Sequence, residues 1–227
     1  MKITKISPQK KRNNRFNIFV DNDYSFSLNA DQLLEAKIAR GDEIFEKEVG
    51  SLRRLSAEGL LLENAYFYLS SRPHSIKETQ TYIKQKIHKK EELKSLPRDQ
   101  KEIVIEKVIN VLLNKNYLND NEFAVWFINQ RLKARNPKGK KLIESELFAK
   151  GVSREIVSNI FLEIGETQEL DNIEESAQKK YSQLIKRQKN PKETKQKLIT
   201  YLLSRGYDWE DVHNTVDSIL THKYNRH

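Results

Sequence analysis

The chemistry this sequence can do rests on its lysines and arginines. There are 41 of them against 32 aspartates and glutamates, for a formal charge of +9 over 227 residues. They gather in two places. One group is Arg131, Lys133, Arg135, Lys138, Lys140 and Lys141. The other is Lys179, Lys180, Lys186, Arg187, Lys189, Lys192, Lys195 and Lys197, opposed within 179–197 by Glu193 alone. Clustered cations neutralise phosphates and displace counterions, giving affinity for a polyanion without reading its sequence. An acidic protein surface would suit them equally. Arg72 stands seven positions after Ala65, as Arg131 does after Ala124, so the pair reads either as partner contacts or as caps on helix-end carbonyls. A third basic run, Lys10-Lys11-Arg12 with Arg15 behind it, reads as a loop between strands. The acidic stretch from Glu163 to Glu175 reads as a solvated face.

Other chemistries find little support. The five histidines show no metal-ligand spacing, and seven scattered glycines cannot build a phosphate-cradling loop. There is no cysteine for a disulfide or thiolate site. Carboxylates form no group suited to holding a catalytic metal. We expect no enzyme activity, cofactor or metal. No stretch approaches the roughly 20 apolar residues of a membrane span, and MKITKISPQKKRNNR lacks the apolar core of a secretory leader. A soluble, cytoplasmic, monomeric protein with no membrane association is the expectation.

These residues must be carried by structural elements, and apolar spacing defines them. Phe16, Ile18 and Val20 alternate, as do Tyr24, Phe26 and Leu28, with Asp21-Asn22-Asp23 between them as a turn. Ile3–Ile6 supplies a third strand. The resulting antiparallel sheet is marginal alone and should pack on a helix near Asp31–Ala39. Gly41-Asp42 reads as a helix stop followed by an N-cap. From about Leu52 the period becomes helical, with stripes such as Val104, Val108 and Leu112, or Ile156, Val157, Ile160, Phe161 and Ile164. Ser75-Ile76-Lys77-Glu78 is a capping box. Pro73, Pro137 and Pro191 each precede a helical run, while Gly151 and Gly206 suit left-handed positions after helices. Trp126 and Trp209 read as packing residues at module interfaces.

A repeat follows from this punctuation. Leu147, Lys150, Gly151, Val152 and Val157 recur 55 residues later as Leu202, Arg205, Gly206, Tyr207 and Val212. The chain is therefore expected to be mainly α, with three tandem three-helix repeats (52–118, 119–166 and 167–227) in an elongated curved array. A small N-terminal antiparallel β-sheet with a helix (1–51) precedes them. The first repeat carries an inserted charged stretch, Lys89–Lys101.

The ordered set of motifs resembles the RecX family of RecA regulators. It comprises Tyr68-Leu69-Ser70-Ser71-Arg72-Pro73-His74-Ser75, then Tyr117-Leu118-Asn119-Asp120 with Phe123-Ala124 and Arg131, then Gly139, Leu147, Lys150-Gly151, Leu202 and Arg205-Gly206-Tyr207. The resemblance covers about residues 55–222 and leaves the strand-rich segment 1–50 outside. It implies a protein that lodges in the groove of the RecA–DNA filament and suppresses strand exchange, ATP turnover and co-protease activity. Its expected partners are the RecA filament and single- and double-stranded DNA, the latter bound weakly and without sequence preference.

Two other functions compete. Lys150-Gly151-Val152-Ser153 looks like the corner of a helix-turn-helix, which would make the chain a sequence-specific transcription factor. The helix after it carries few donors, and the same corner recurs at Arg205-Gly206, so a structural role is preferred. An enzyme acting on nucleic acid is the third reading.

Overall fold

The computed structural model describes residues 1–10, 12–89, 91–94, 96–164, 167–186 and 190–224; among these the side chains of 12, 13, 91, 92, 164, 167, 168 and 222–224 stand outside the description. Lys11, Arg187, Lys189 and the side chain of Arg12, all noted above as candidate phosphate contacts, therefore fall outside the described residues.

Three strands open the chain: β1 (Ile3–Gln9), β2 (Arg12–Val20) and β3 (Asp23–Asn29), paired antiparallel in the order β1-β2-β3. Asp21 and Asn22 both take positive φ (50° and 74°), the backbone that a two-residue hairpin turn demands and that short polar side chains tolerate. The alternation seen in sequence places Ile3, Ile18, Val20, Phe26 and Leu28 on a buried face. Residues 41–44 run beside β1, where the Ile3 amide donates to the Asp42 carbonyl and the Ile44 amide to that of Met1.

The first helix, α1 (Ala30–Ala36), is shorter than the sequence suggested. Asn29 and Gln32 cap its start reciprocally, and Lys37 ends it at φ 50°. Asp42 does not cap the next helix. Its carboxylate accepts from the Ala39 amide (2.7 Å), closing a turn, and α2 begins later, at Glu46, with the Glu48 carboxylate taking the Phe45 amide (2.7 Å). Helix α2 (Glu46–Leu69) thus runs through position 51/52 without a break. Its first turns place Val49 against the sheet, and its later turns place Ala57, Leu60, Leu61 and Ala65 in the next core.

Helices α3 (Ile76–Lys89), α4 (Glu91–Lys94) and α5 (Arg98–Asn114) complete that core around Ile83, Ile87, Val104, Val108 and Leu112. The capping box is present: the Glu78 amide donates to Ser75 Oγ (3.1 Å) and the Ser75 amide to Glu78 Oε2 (3.3 Å). A further cluster joins α6 (Asp120–Leu132), α7 (Lys140–Ala149) and α8 (Arg154–Ile164) around Phe123, Phe127, Ile143, Leu147 and Val157. The last joins α9 (Thr167–Ile185), α10 (Pro191–Ser204) and α11 (Trp209–Tyr224) around Ile173, Leu198, Leu202, Val212 and Val216. Gly151 and Gly206 stand after α7 and α10 at φ 86° and 87°, the left-handed region where a side chain is strained. The protein is mainly helical with an N-terminal three-stranded sheet. It divides into two compact units, Met1–Leu118 and Asn119–His227.

Candidate functional site

Many of the candidate cations are held by carboxylates, some within a turn or two and some distant in sequence. Arg72 donates to Glu78 Oε2 (3.2 Å) and to the Pro73 carbonyl (2.8 Å). Arg131 Nε meets Glu146 Oε2 at 2.7 Å, with its guanidinium 4.4 Å from the Phe127 ring centroid. Lys138 reaches the other Glu146 oxygen. Burial pushes the Glu146 carboxyl up, but the hydrogen bonds from Lys138 and Arg131 outweigh it and hold the group below the usual range. Lys141 pairs with Asp208 (2.6 Å), Lys179 with Glu175 (2.5 Å), Lys195 with Asp217 (2.5 Å) and, more loosely, Lys197 with Glu193 (3.9 Å).

A second set forms no salt bridge with a carboxylate among the described residues, and all of it but the half-buried Lys180 is exposed. Lys133 and Arg135 lie in the loop between α6 and α7; Lys186 follows α9 and Lys192 is the second residue of α10. Lys140 and Lys180 lie over aromatic rings, Phe161 (5.4 Å) and Tyr201 (4.8 Å), within cation–π reach.

The loop that carries much of the first sequence cluster is held by a residue that sequence reading took as part of the repeat corner and of the family motif, not as a contact. Arg205 donates from Nε to the Pro137 carbonyl (3.2 Å), and from Nη2 to the carbonyls of Pro137 (2.9 Å) and Asn136. The Gly139 amide donates to the Arg205 carbonyl (2.9 Å), and the Lys141 amide to that of Gly206 (3.1 Å). The α6–α7 loop is thereby bonded along its length to the α10–α11 corner. Only glycine permits this approach, because a Cβ on Gly139 would lie 2.5 Å from the Gly206 carbonyl oxygen. The available signal was the invariance of spacing between the two corners, which fixes a shape but does not say what rests on it.

The same junction has an acidic side. Glu169 accepts from the Lys140 amide (2.9 Å), closing the start of α7 from another helix, since Gly139 has no side chain to do so. Lys140, Lys141, Glu144, Glu169, Asp208 and Asp211 line a cleft of about 530 Å³. Burial, aided by Asp211 and Asp208, raises the Glu169 pKa despite that bond.

Three further expectations meet a different arrangement. Arg15 is no loop cation: it is 1% exposed on β2, bonded to Glu63 of α2 (2.7 Å) and to the Ser27 carbonyl (2.8 Å). Trp126 packs against Phe123 and Phe127, but Trp209 is 60% exposed and stacks on His213 (4.0 Å) rather than filling an interface. Phe161 is only partly buried against its cluster. No group of three or more metal-ligating residues occurs among the described residues, and no helix there is long and apolar enough to cross a membrane.

Comparison with known proteins decides the family. A regulatory protein RecX of Clostridium acetobutylicum is 30% identical over 221 residues, 96% of each chain. This chain belongs to the RecX family of regulatory proteins. A RecX of Listeria monocytogenes is 33% identical over 92% of this chain and 72% of its own. A family model for the regulatory protein RecX N-terminal domain matches residues 1–45, so the strand-rich segment lies inside the shared architecture, contrary to the sequence expectation. A second, for the third three-helix domain of RecX, matches residues 166–216. The fold agrees with a crystal structure of a regulatory protein RecX (TM-score 0.71, 19% identity, 96% of this chain and 98% of that one). It agrees also with that of RecX from Lactobacillus salivarius (TM-score 0.58, 17% identity, 71% and 96%).

Proposed function

We propose that this RecX-family protein binds the RecA–DNA filament and inhibits or modulates its recombinase, ATPase and co-protease activities in DNA repair. It acts as a cytoplasmic monomer, without cofactor and without catalysing a reaction itself. The observation that carries the reading is the end-to-end likeness to proteins named as RecX regulators. The exposed cations of the α6–α7 loop and of the α9–α10 region support it, because a protein-coated polynucleotide is a large polyanion.

Three features weigh against a helix-turn-helix transcription factor. At the corner Lys150–Ser153, the helix that follows, α8, carries one cation, Arg154, which lies over the Phe148 ring (5.5 Å) beside Glu155. The corner that repeats it, at Arg205-Gly206, is occupied by the α6–α7 loop. The helix beyond it, α11, begins with Glu210 and Asp211, which a phosphate backbone would repel.

The test is ATP hydrolysis by RecA on single-stranded DNA with increasing amounts of the purified protein. Hydrolysis should fall in a dose-dependent way. An unchanged rate at a several-fold excess over RecA would overturn the proposal.

A further inference from the structure

Among the described residues, one ionisable side chain is buried with no well-formed hydrogen bond. His74, between α2 and α3, is 5% exposed, and neither of its ring nitrogens is satisfied. A buried imidazole kept for packing alone ordinarily has its N–H bonded. Groups that suit a charged ring nevertheless surround it. From α3, Glu78 Oε2 lies 3.4 Å from Nδ1. From α2, the Tyr68 ring lies against the imidazole (centroids 3.7 Å apart, 30° between planes), and the Tyr68 carbonyl also favours the charged form. Tyr68 stacks in turn on Tyr82 of α3 (4.1 Å), with the Lys86 ammonium 5.0 Å from the centre of that second ring. From the connection comes the opposing charge. Arg72 donates to both Glu78 oxygens (3.2 and 3.3 Å), one of them the oxygen that faces His74.

We infer that the α2–α3 corner is a proton-operated release, in which protonated His74 takes the Glu78 carboxylate and expels Arg72 from it. With the ring neutral, Glu78 Oε2 accepts from Arg72 and from the Ser75 amide (3.3 Å). Protonation makes both ring nitrogens donors and sets a second cation beside the guanidinium. The two then compete for one carboxylate and repel each other. Arg72 is the one that yields, because its partly exposed side chain can be hydrated while the imidazolium is enclosed. Burial, and after it Arg72, holds the His74 pKa below the ordinary value, so the closed corner prevails at neutral pH. The unfolded chain therefore takes up this proton first. The corner keeps its stability above the ordinary histidine range and loses it as pH falls through that range. Burial and Glu78 raise the Tyr68 phenol, which stays protonated throughout. The release does not depend on what the protein binds.

The experiment titrates the full-length protein from pH 8 to pH 5. Histidine Hε1–Cε1 and arginine Nε–Hε NMR signals are followed for the wild type, R72Q and E78Q, and H74Q identifies the ring signal by its loss. His74 should titrate below the ordinary histidine value. R72Q should raise its midpoint by about half a unit or more and E78Q should lower it, since the first removes the opposing cation and the second the favouring anion. In the wild type the Arg72 signal should move with the His74 midpoint. The Arg131 signal is the internal control and should stay still, because its partner Glu146 is held below the usual carboxylate range. Midpoint shifts of the same sign in the two variants, or a midpoint that neither variant moves, would overturn the release. So would an Arg72 signal that holds still while His74 titrates, or a His74 ring that stays neutral down to pH 5. The Arg72 signal is read on unaltered protein, so the test stands even where E78Q, with its weakened capping box, fails to fold.

Discussion

Gly139 and Gly206 touch backbone to backbone: a Cβ on the first would sit 2.5 Å from the carbonyl oxygen of the second, and one on Gly206 would sit 2.5 Å from the Leu142 amide nitrogen. Neither neighbour is a flexible side chain that can swing aside. Gly139→Ala should therefore cost about 1–3 kcal/mol through overpacking. Gly206→Ala should cost more, because φ 87° adds backbone strain to the clash. Both tryptophans lie in the second unit, so urea unfolding followed by tryptophan emission reports these changes without interference from the first.

Arg15 ties the N-terminal sheet to α2. Replacing it with Met keeps most of its bulk but removes the guanidinium that donates to the Ser27 carbonyl and to the Glu63 carboxylate. Glu63 is 36% exposed, so water takes up part of the lost interaction and the cost should be about 1–2 kcal/mol. The loss should show in thermal unfolding followed by far-ultraviolet dichroism, while tryptophan emission, which reports the other unit, stays at its wild-type midpoint.

Phe161 and Phe123 separate the apolar stripe from the core. Phe123 is fully buried, and Phe123→Ala should cost about 3–5 kcal/mol. Phe161 is partly exposed under Lys140, so Phe161→Ala should cost about 1–2 kcal/mol, in proportion to the smaller apolar area removed from water. Denaturant midpoints of the two variants check the order.

Glu169 makes the second unit less stable as pH rises. Its folded pKa lies above the ordinary carboxylate value because burial and the neighbouring Asp211 and Asp208 disfavour the charge. A group raised in this way contributes most when protonated, below its unfolded pKa, and that contribution is lost as pH climbs through the folded value. Glu169→Gln keeps an oxygen for the Lys140 amide and removes the charge. The variant should unfold at higher denaturant than wild type at pH 7, and the difference should shrink towards pH 4. A variant weaker than wild type at neutral pH would show that the helix-terminus attraction for the carboxylate dominates.

How much of this was legible beforehand depended on the distance over which each feature is decided. The hairpin at Asp21-Asn22, the Ser75–Glu78 box and the glycines at 151 and 206 are local choices, and the sequence displays them. The start of α2 was missed because its first turn, Glu46-Lys47-Glu48, is polar and begins after Phe45, which is no capping residue. The basic clusters were visible, but their neutralisation was not: Glu146 is 15 positions from Arg131, and Asp208 is 67 from Lys141. Arg15 looked like part of a basic loop because nothing in its neighbourhood announces Glu63, 48 positions away. Trp209 was taken for packing on residue type alone, and its exposure follows from its place at the first turn of α11, outside the stripe of Val212 and Val216.

Connections between helices are ordinarily where a lineage adds or deletes residues at little cost. The stretch from 133 to 139 has no such freedom. Its carbonyls at 136 and 137 and its amide at 139 are all spoken for by Arg205, so a single inserted or missing residue would throw every one of those bonds out of step. Among relatives, this connection should keep one length while its exposed side chains vary.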